Sequence, residues 1–382
     1  MTSLNGLECE TVVLQYNLST ASAGLGDVLR VEAKRYRPSA NAFTSSSGWR
    51  DVGVTLLLMH GAGSHKEQWE PTIQRIHEAT AGRKAHGHGS FSQDQSTIRE
   101  IWTFDWPNHG NSSVLNEDHF SSRLPSKITV RDIGHFLATF VKSRHFQGHR
   151  IIPVGHSAGT CAAIFSVSHF PPSHVPYESL ILIELPCITD DVYRSSKSTV
   201  SDSGFQYEYD RRADILRRRI EGGRSRWSSK SAVFEWTSKR LPWSRWDSQV
   251  LDLYLEYGFR ESSSTEEAAA GRPSVTPKCT RVTEAASQTD TVAYREAANM
   301  LLNQIMPHVP VHLIFGRDED IVPKWVQDSM IDGGAGLWAS VHGMDGVGHL
   351  VVQEDPRGLA QLIVKDLKEG LLLSMPQYGA RL

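Results

Sequence analysis

The stretch Gly155-His156-Ser157-Ala158-Gly159 is the part of the sequence best suited to chemistry. A serine hydroxyl is a poor nucleophile until it is exposed, oriented and paired with a base. Here a short apolar run, Arg150–Val154, reads as a buried strand directly before the motif, and Ala158–His169 reads as a packed helix directly after it. The flanking glycines permit a sharp strand-to-helix turn that would lift Ser157 above a sheet. In a chain with 30 glycines the five-residue pattern alone says little. The strand before it and the helix after it carry the reading.

Attack on a carbonyl creates an oxyanion that needs about two N–H donors. The Ala158 amide, at the start of the helix after the nucleophile, is one candidate. The other is the Ala62 amide in His60-Gly61-Ala62-Gly63, which follows the apolar run Val52–Met59. The plainer alternative for that segment is an ordinary glycine-rich turn. The base is expected late in the chain, at His349 in Gly346-Val347-Gly348-His349-Leu350, where a glycine-flanked turn can project over the sheet edge. His342 is the fallback, and with 17 histidines in the chain position matters more than residue type. For the acid two places stay open. Glu319, flanked by Asp318 and Asp320, lies in the turn Gly316–Pro323; Glu184 lies at the end of the apolar run Leu180–Ile183, before Leu185-Pro186. The first could be a solvated turn, and the second a capping or lid-anchoring carboxylate.

These side chains need a scaffold. Strand-like runs at Thr11–Leu14, Val28–Ala33, Val52–Met59, Ile98–Trp106, Arg150–Val154, Leu180–Ile183, Val309–Phe315 and Leu337–His342 alternate with helical spacing at Trp69–Ile76, Thr129–Lys142, Ala158–His169, Trp325–Met330 and Pro356–Leu372. That alternation predicts an α/β fold, a mostly parallel sheet with helices on both faces. From about 190 to 300 the alternation is lost and the chain becomes helical, charged and rich in tryptophan, which reads as an inserted helical cap. The expected division is a first core part at 1–189, a cap at 190–300 with a mobile segment near 261–278, a second core part at 301–375 and a tail at 376–382.

Bulk properties exclude several classes. The 382 residues carry 40 basic and 43 acidic side chains, so bulk charge does not support a nucleic-acid binder. No run approaches the ~20 apolar residues of a membrane span. Four dispersed cysteines, Cys9, Cys161, Cys187 and Cys279, suggest neither a disulfide framework nor a zinc site. The beginning of the chain lacks the pattern of a secretory signal. No metal or redox cofactor is implied. An epoxide hydrolase or dehalogenase is disfavoured because Ser157 stands where an aspartate nucleophile would be needed.

On His60-Gly61, the Ser157 elbow and His349 the chain resembles the α/β-hydrolase superfamily. More finely, it resembles fungal peroxisomal hydrolases of secondary-metabolite clusters, the mycophenolic acid acyl-CoA hydrolase type and relatives in host-selective toxin pathways. The cues are His60–Gly63 with Lys66-Glu67 and Glu70-Pro71, the Gly155–Gly159 elbow, Glu184 before Pro186, and Gly348-His349-Leu350. The resemblance covers residues 28–190 and 308–370, not the cap. It implies the α/β-hydrolase fold and a serine hydrolase of thioesters or esters acting on an acyl-CoA-type substrate. Common members place the acid at the position of Glu319; the fungal group places it at Glu184, with aspartate where this chain has glutamate. The alternatives are a carboxylesterase or lactonase that does not use CoA, or a non-catalytic binding protein of the same fold.

Two further features bear on partners. Between Phe205 and Arg245 eleven Lys or Arg face five acids, interleaved with Trp227, Trp236, Trp243 and Trp246. This reads either as an entrance for an anionic acyl-CoA, with phosphate held by arginine and the acyl group against tryptophan, or as a solvated helix face with packed tryptophans. The ending Ala380-Arg381-Leu382 is a variant of the Ser-Lys-Leu peroxisomal address, so an import receptor is an expected partner and the peroxisome the expected location, with the cytoplasm as the alternative.

Overall fold

The computed structural model describes residues 4–17, 28–39, 53–80, 98–121, 128–196, 207–262, 274–288 and 290–373. The Ala380-Arg381-Leu382 tail and most of the stretch expected to be mobile lie outside them. Eight strands form one sheet: β1 (Leu7–Asn17), β2 (Val28–Pro38), β3 (Val54–Met59), β4 (Ile98–Phe104), β5 (Arg150–His156) and β6 (Leu180–Ile183), then, beyond a separate two-stranded ribbon of β7 (Phe259–Glu261) and β8 (Val275–Pro277), β9 (Val311–Gly316) and β10 (Ser340–Met344). The sheet order is β1-β2-β4-β3-β5-β6-β9-β10. β1 and β2 are antiparallel additions at one edge, and the six strands from β4 to β10 are parallel.

The period of two along the strands sorts the core into its two layers. On β3, Val54, Leu56 and Leu58 point to one face, with Trp69, Ile73, Ile363 and Leu367 from the helices Glu70–Thr80 and Pro356–Leu373 and the turn before the first of them. Leu57 and Met59 point to the other, with the helices Val130–Val141, Ala158–Val167 and Thr291–Met300. β6 does the same, Ile181 and Ile183 to the first face, Leu180 and Leu182 to the second. Burial on both faces is why these strands read as unbroken apolar runs.

Strand order reverses direction beside β3: the chain moves outward from β3 to β4, then returns to place β5 on the other side. In parallel sheets a crevice opens at such a point, beyond the carboxyl ends of the strands. The His60 turn leaves β3 and Ser157 leaves β5, so both stand at that crevice. Glu184 follows β6, two strands from the β10 end that leads to His349.

The described residues between β6 and β9 are mostly helical, and not all of them stand apart from the main core. Tyr209 and the apolar side of Thr291–Met300 join the main core. A small core of its own is built from Trp227, Val233, Leu251, Tyr254, Leu255, Phe259 and Val275, with Trp236, Trp243 and Trp246 packed against it. The expected boundary near 300 therefore falls inside packed structure. At the described ends of the 261–278 stretch, Phe259–Glu261 pairs antiparallel with Val275–Pro277, and Val275 bridges to Trp227. Its Ser, Thr and Glu content gave no hint of that pairing. Among the described residues no helix is long and apolar enough to cross a membrane.

Candidate active site

Ser157 sits between β5 and the helix Ala158–Val167 with φ 53° and ψ −127°. A side chain at positive φ is strained by roughly 1 kcal/mol or more. The strain is held by packing on both sides. A Cβ on Gly155 would lie 2.6 Å from the Gly159 carbonyl oxygen, and one on Gly159 would lie 2.7 Å from the carbonyl oxygens of Met59 and His60. The two glycines thus serve close approach of strand to helix, and the unusual dihedral belongs to the serine itself.

Ser157 Oγ donates to His349 Nε2 at 2.8 Å. His349 Nδ1–H donates to Glu184 Oε2 at 2.9 Å, and the other oxygen of Glu184 accepts the Gly316 N–H. Glu184 is fully buried and, like Ser157, lies at positive φ, 55°. Its backbone N–H is held by the Ile314 carbonyl at 2.8 Å. The dihedral turns the side chain off the end of β6 toward β9 and the histidine.

The rival carboxylates stand elsewhere. Glu319 is exposed. Asp318 pairs with Arg245 at 2.8 Å. Asp320 accepts the backbone N–H of His349 at 2.9 Å, so it supports the turn rather than the imidazole. His342, the alternative base, hydrogen-bonds Asp366 at 2.7 Å, in a cluster with His312 and Ser340 away from Ser157.

Two further histidines of these motifs frame the site. His156, inside the elbow motif, donates from Nε2 to the His349 carbonyl at 2.8 Å. His60 Nε2 accepts the Trp106 N–H at 3.1 Å and its Nδ1–H donates to the Gly61 carbonyl at 2.7 Å. Beyond the turn, Lys66 is fully buried with its ammonium 2.7 Å from Glu32 and 2.9 Å from both Glu67 and Asp105. Among the described residues the Ala62 and Ala158 amides have no acceptor. They flank Ser157, since a Cβ on the adjoining Gly61 would come within 3.0 Å of the Ser157 Cβ.

Burial lowers the pKa of His60 and of His156 to about 3, and burial with the neighbouring His60 and His65 holds His109 well below its ordinary value. Each is neutral when folded and takes a proton when unfolded below about pH 6.5. The unfolded chain then binds more protons, so stability is full above about pH 6.5 and falls as the pH drops toward 3. Three such groups at full slope remove roughly 4 kcal/mol per pH unit. The melting temperature should be nearly flat from pH 8 to 7 and fall steeply from pH 6 to 5; a flat profile down to pH 5 would contradict these assignments.

Ser157 and His349 open into a cavity of about 540 Å³. Pro186, Tyr209, Ile215, Leu216, Val322 and Tyr294 give it apolar walls, and Arg211, Arg212 and Arg219 from the helix Glu208–Glu221 reach it. Arg211 and Arg212 are held by Glu208, and Arg217 by Glu221. Arg219 has no acidic partner among the described residues. The tryptophans do not line this cavity, so of their two readings the packed one holds. Trp227, Trp236, Trp243 and Trp246 are packed in the small core of the inserted segment, Trp236 against Trp243 with ring centroids 5.2 Å apart.

A mostly parallel sheet with a strained serine at a strand-to-helix elbow, and a histidine and a carboxylate on later strand ends, defines the α/β hydrolases. The chain belongs to the alpha/beta hydrolase family, whose profile matches residues 56–362. Over 136 residues it is 27% identical to the type I acyl-CoA thioesterase mpaH of Penicillium roqueforti (strain FM164). That stretch is 35% of this chain and only 26% of the relative, so it spans about a quarter of that protein's length. Among solved structures, the peroxisomal alpha-beta-hydrolase Lpx1 of Saccharomyces cerevisiae superposes with a TM-score of 0.68 at 16% identity, covering 98% of this chain and 92% of that one. The thioesterase domain from the curacin biosynthetic pathway gives 0.55 at 12% identity, covering 92% and 99%. At such identities these likenesses establish the fold.

Proposed function

We propose that the protein is a serine hydrolase of an acyl thioester or ester, with an acyl-CoA-type intermediate of fungal secondary metabolism as substrate class. One observation carries this: the Ser157–His349–Glu184 chain, with contacts of 2.8 and 2.9 Å, at the floor of the cavity. Ser157 attacks the carbonyl while His349 takes its proton, and Glu184 holds the imidazole with Nδ1 protonated and steadies the cation that forms. The Ala62 and Ala158 amides receive the oxyanion. His349 returns the proton to the departing thiol or alcohol, then activates water to release the acid and restore Ser157. No step calls for a metal or redox cofactor.

The thioester half of the reading is supported by the partial likeness to the Penicillium thioesterase and by Arg219 at the cavity rim. Arginine grips phosphate through paired, charge-assisted hydrogen bonds, and Arg219 has no competing carboxylate among the described residues. Of the consecutive Arg217, Arg218 and Arg219, only Arg219 reaches the cavity. Arg219→Gln should raise KM for an acyl-CoA about 5- to 20-fold at low salt, and this difference should shrink as salt screens exposed charges. KM for a short uncharged ester should move less than twofold, and Arg217→Gln should leave both unchanged. Equal shifts for both substrates would sink the CoA assignment and leave a carboxylesterase.

The location we propose is the peroxisome. It is supported by the yeast structural neighbour, named a peroxisomal hydrolase, and the expected Ala380-Arg381-Leu382 address gives it a test. An N-terminal fluorescent fusion should be punctate with the tripeptide and diffuse without it, while hydrolysis by the shortened protein is unchanged. Diffuse fluorescence from the intact chain would remove the assignment.

A further inference from the structure

The turn after β3 holds two successive peptide groups whose orientation matters for an oxyanion. The Gly61 carbonyl accepts from His60 Nδ1 at 2.7 Å and from the Ser64 N–H at 3.2 Å. A peptide is planar and trans, so its C=O and N–H point in opposite directions. The N–H across that bond, on Ala62, is therefore turned away from His60, and among the described residues it has no acceptor.

The next peptide is held from both ends. Its carbonyl, on Ala62, accepts from Gln288 Nε2 at 3.3 Å, and its N–H, on Gly63, donates to His109 Nε2 at 3.0 Å. His109 lies in the turn after β4 and is fully buried; Gln288 ends the helix Arg281–Gln288 in the inserted segment and lines the cavity. The Gly63 N–H needs a lone pair on Nε2, which places the His109 proton on Nδ1, 2.7 Å from Asn108 Oδ1. Burial keeps that imidazole neutral. Such a grip is needed because Gly63 sits at φ 78°. Glycine accepts either sign of φ, so an unheld Ala62–Gly63 peptide can turn over at low cost. Turning it over would shift Ala62 and misaim its free N–H.

We propose that His109 and Gln288 clamp the Ala62–Gly63 peptide and so keep the Ala62 N–H aimed for the oxyanion over Ser157. Both are then positioning residues, and through Gln288 the inserted segment takes part in catalysis without touching the reacting atoms. This rests on the serine-hydrolase reading above.

The test uses the full chain with a short p-nitrophenyl ester as substrate and a trifluoromethyl ketone as inhibitor, whose adduct with Ser157 carries the same oxyanion. Losing a direct oxyanion donor costs about 10²–10³ in kcat, so loosening one should cost less. Gln288→Leu, which keeps bulk and removes the donor, should lower kcat about 10-fold with KM within about twofold, and should weaken the ketone by a similar factor. Inhibition by the product carboxylate should not change. His109→Gln, which retains an acceptor, should keep more activity than His109→Leu. If the buried His109 variants do not fold, Gln288→Leu decides alone. Unchanged kcat and ketone affinity in Gln288→Leu would overturn the clamp. So would a higher KM at constant kcat, which would make Gln288 a cavity wall and nothing more. Failure of a fluorophosphonate to label Ser157 in the unaltered protein would instead overturn the serine-hydrolase reading beneath it.

Discussion

Ser157→Ala is expected to lower kcat by roughly 10⁴-fold or more for any substrate the protein hydrolyses. The hydroxyl is the one protein group that bonds to the acyl carbon in the proposed cycle, and no neighbour can replace it. His349 and Glu184 would still be present, but an imidazole 2.8 Å from an absent oxygen has nothing to deprotonate except water. The Ala62 and Ala158 amides and the cavity would remain, so KM should change little and residual turnover should reflect oriented binding alone. Folding should be unaffected or slightly improved, because alanine and serine pay a similar penalty at φ 53° and no structural hydrogen bond depends on the Oγ. A fluorophosphonate should label the unaltered protein at Ser157 and leave the variant unlabelled. Near-normal turnover of a reactive thioester by Ser157→Ala would place the chemistry elsewhere in the molecule.

What the sequence allowed, and what it did not, follows from the range of the interactions. The strands were legible because a parallel strand buried on both faces must be apolar at nearly every position, as Val54–Met59 and Leu180–Ile183 are. Ser157 was legible because its turn is local: five residues, a strand before and a helix after. Their ends were less so; the last strand runs Ser340–Met344, later than Leu337–His342, because Gly343 and Met344 pair with Phe315 and Gly316 across a ladder that no local pattern records. The histidines of the site are harder still. His156 reaches a carbonyl 193 positions away, and Gln288 one 226 positions away. The tryptophans of the inserted segment left two readings open because aromatic side chains pack a small core as readily as they line a pocket. Telling these apart requires the fold.

The choice of acid is the sharpest case of such non-local information, and it leads to the second large effect. Read along the chain, Glu184 and Glu319 are each a carboxylate at the end of a strand. In three dimensions only Glu184 meets the imidazole, at 2.9 Å and fully buried. Glu184→Gln keeps the shape and removes the charge. An amide can present its NH2 to Nδ1, which favours the tautomer with the proton on Nε2, where Ser157 needs an acceptor. It also leaves the imidazolium formed during attack without its counter-ion. By analogy with the same change in other triads, kcat should fall on the order of 10³–10⁴-fold. Activity lost in this way should recover in part at high pH, where hydroxide takes the proton that the Nε2-protonated imidazole cannot accept. Glu184→Asp is milder because it keeps the charge, but it withdraws the carboxylate by one methylene from both His349 Nδ1 and the Gly316 N–H. Glu319→Gln should change kcat less than about 10-fold, as expected for an exposed carboxylate that does not contact the imidazole. Asp320→Asn should fall between them, since an amide oxygen still accepts the His349 backbone N–H. Measured together, the three amide substitutions rank the carboxylates by contact with the imidazole. A severe Glu319→Gln beside a mild Glu184→Gln would mean that His349 turns to the Gly316–Pro323 loop during catalysis, and the resting geometry would not be the working one.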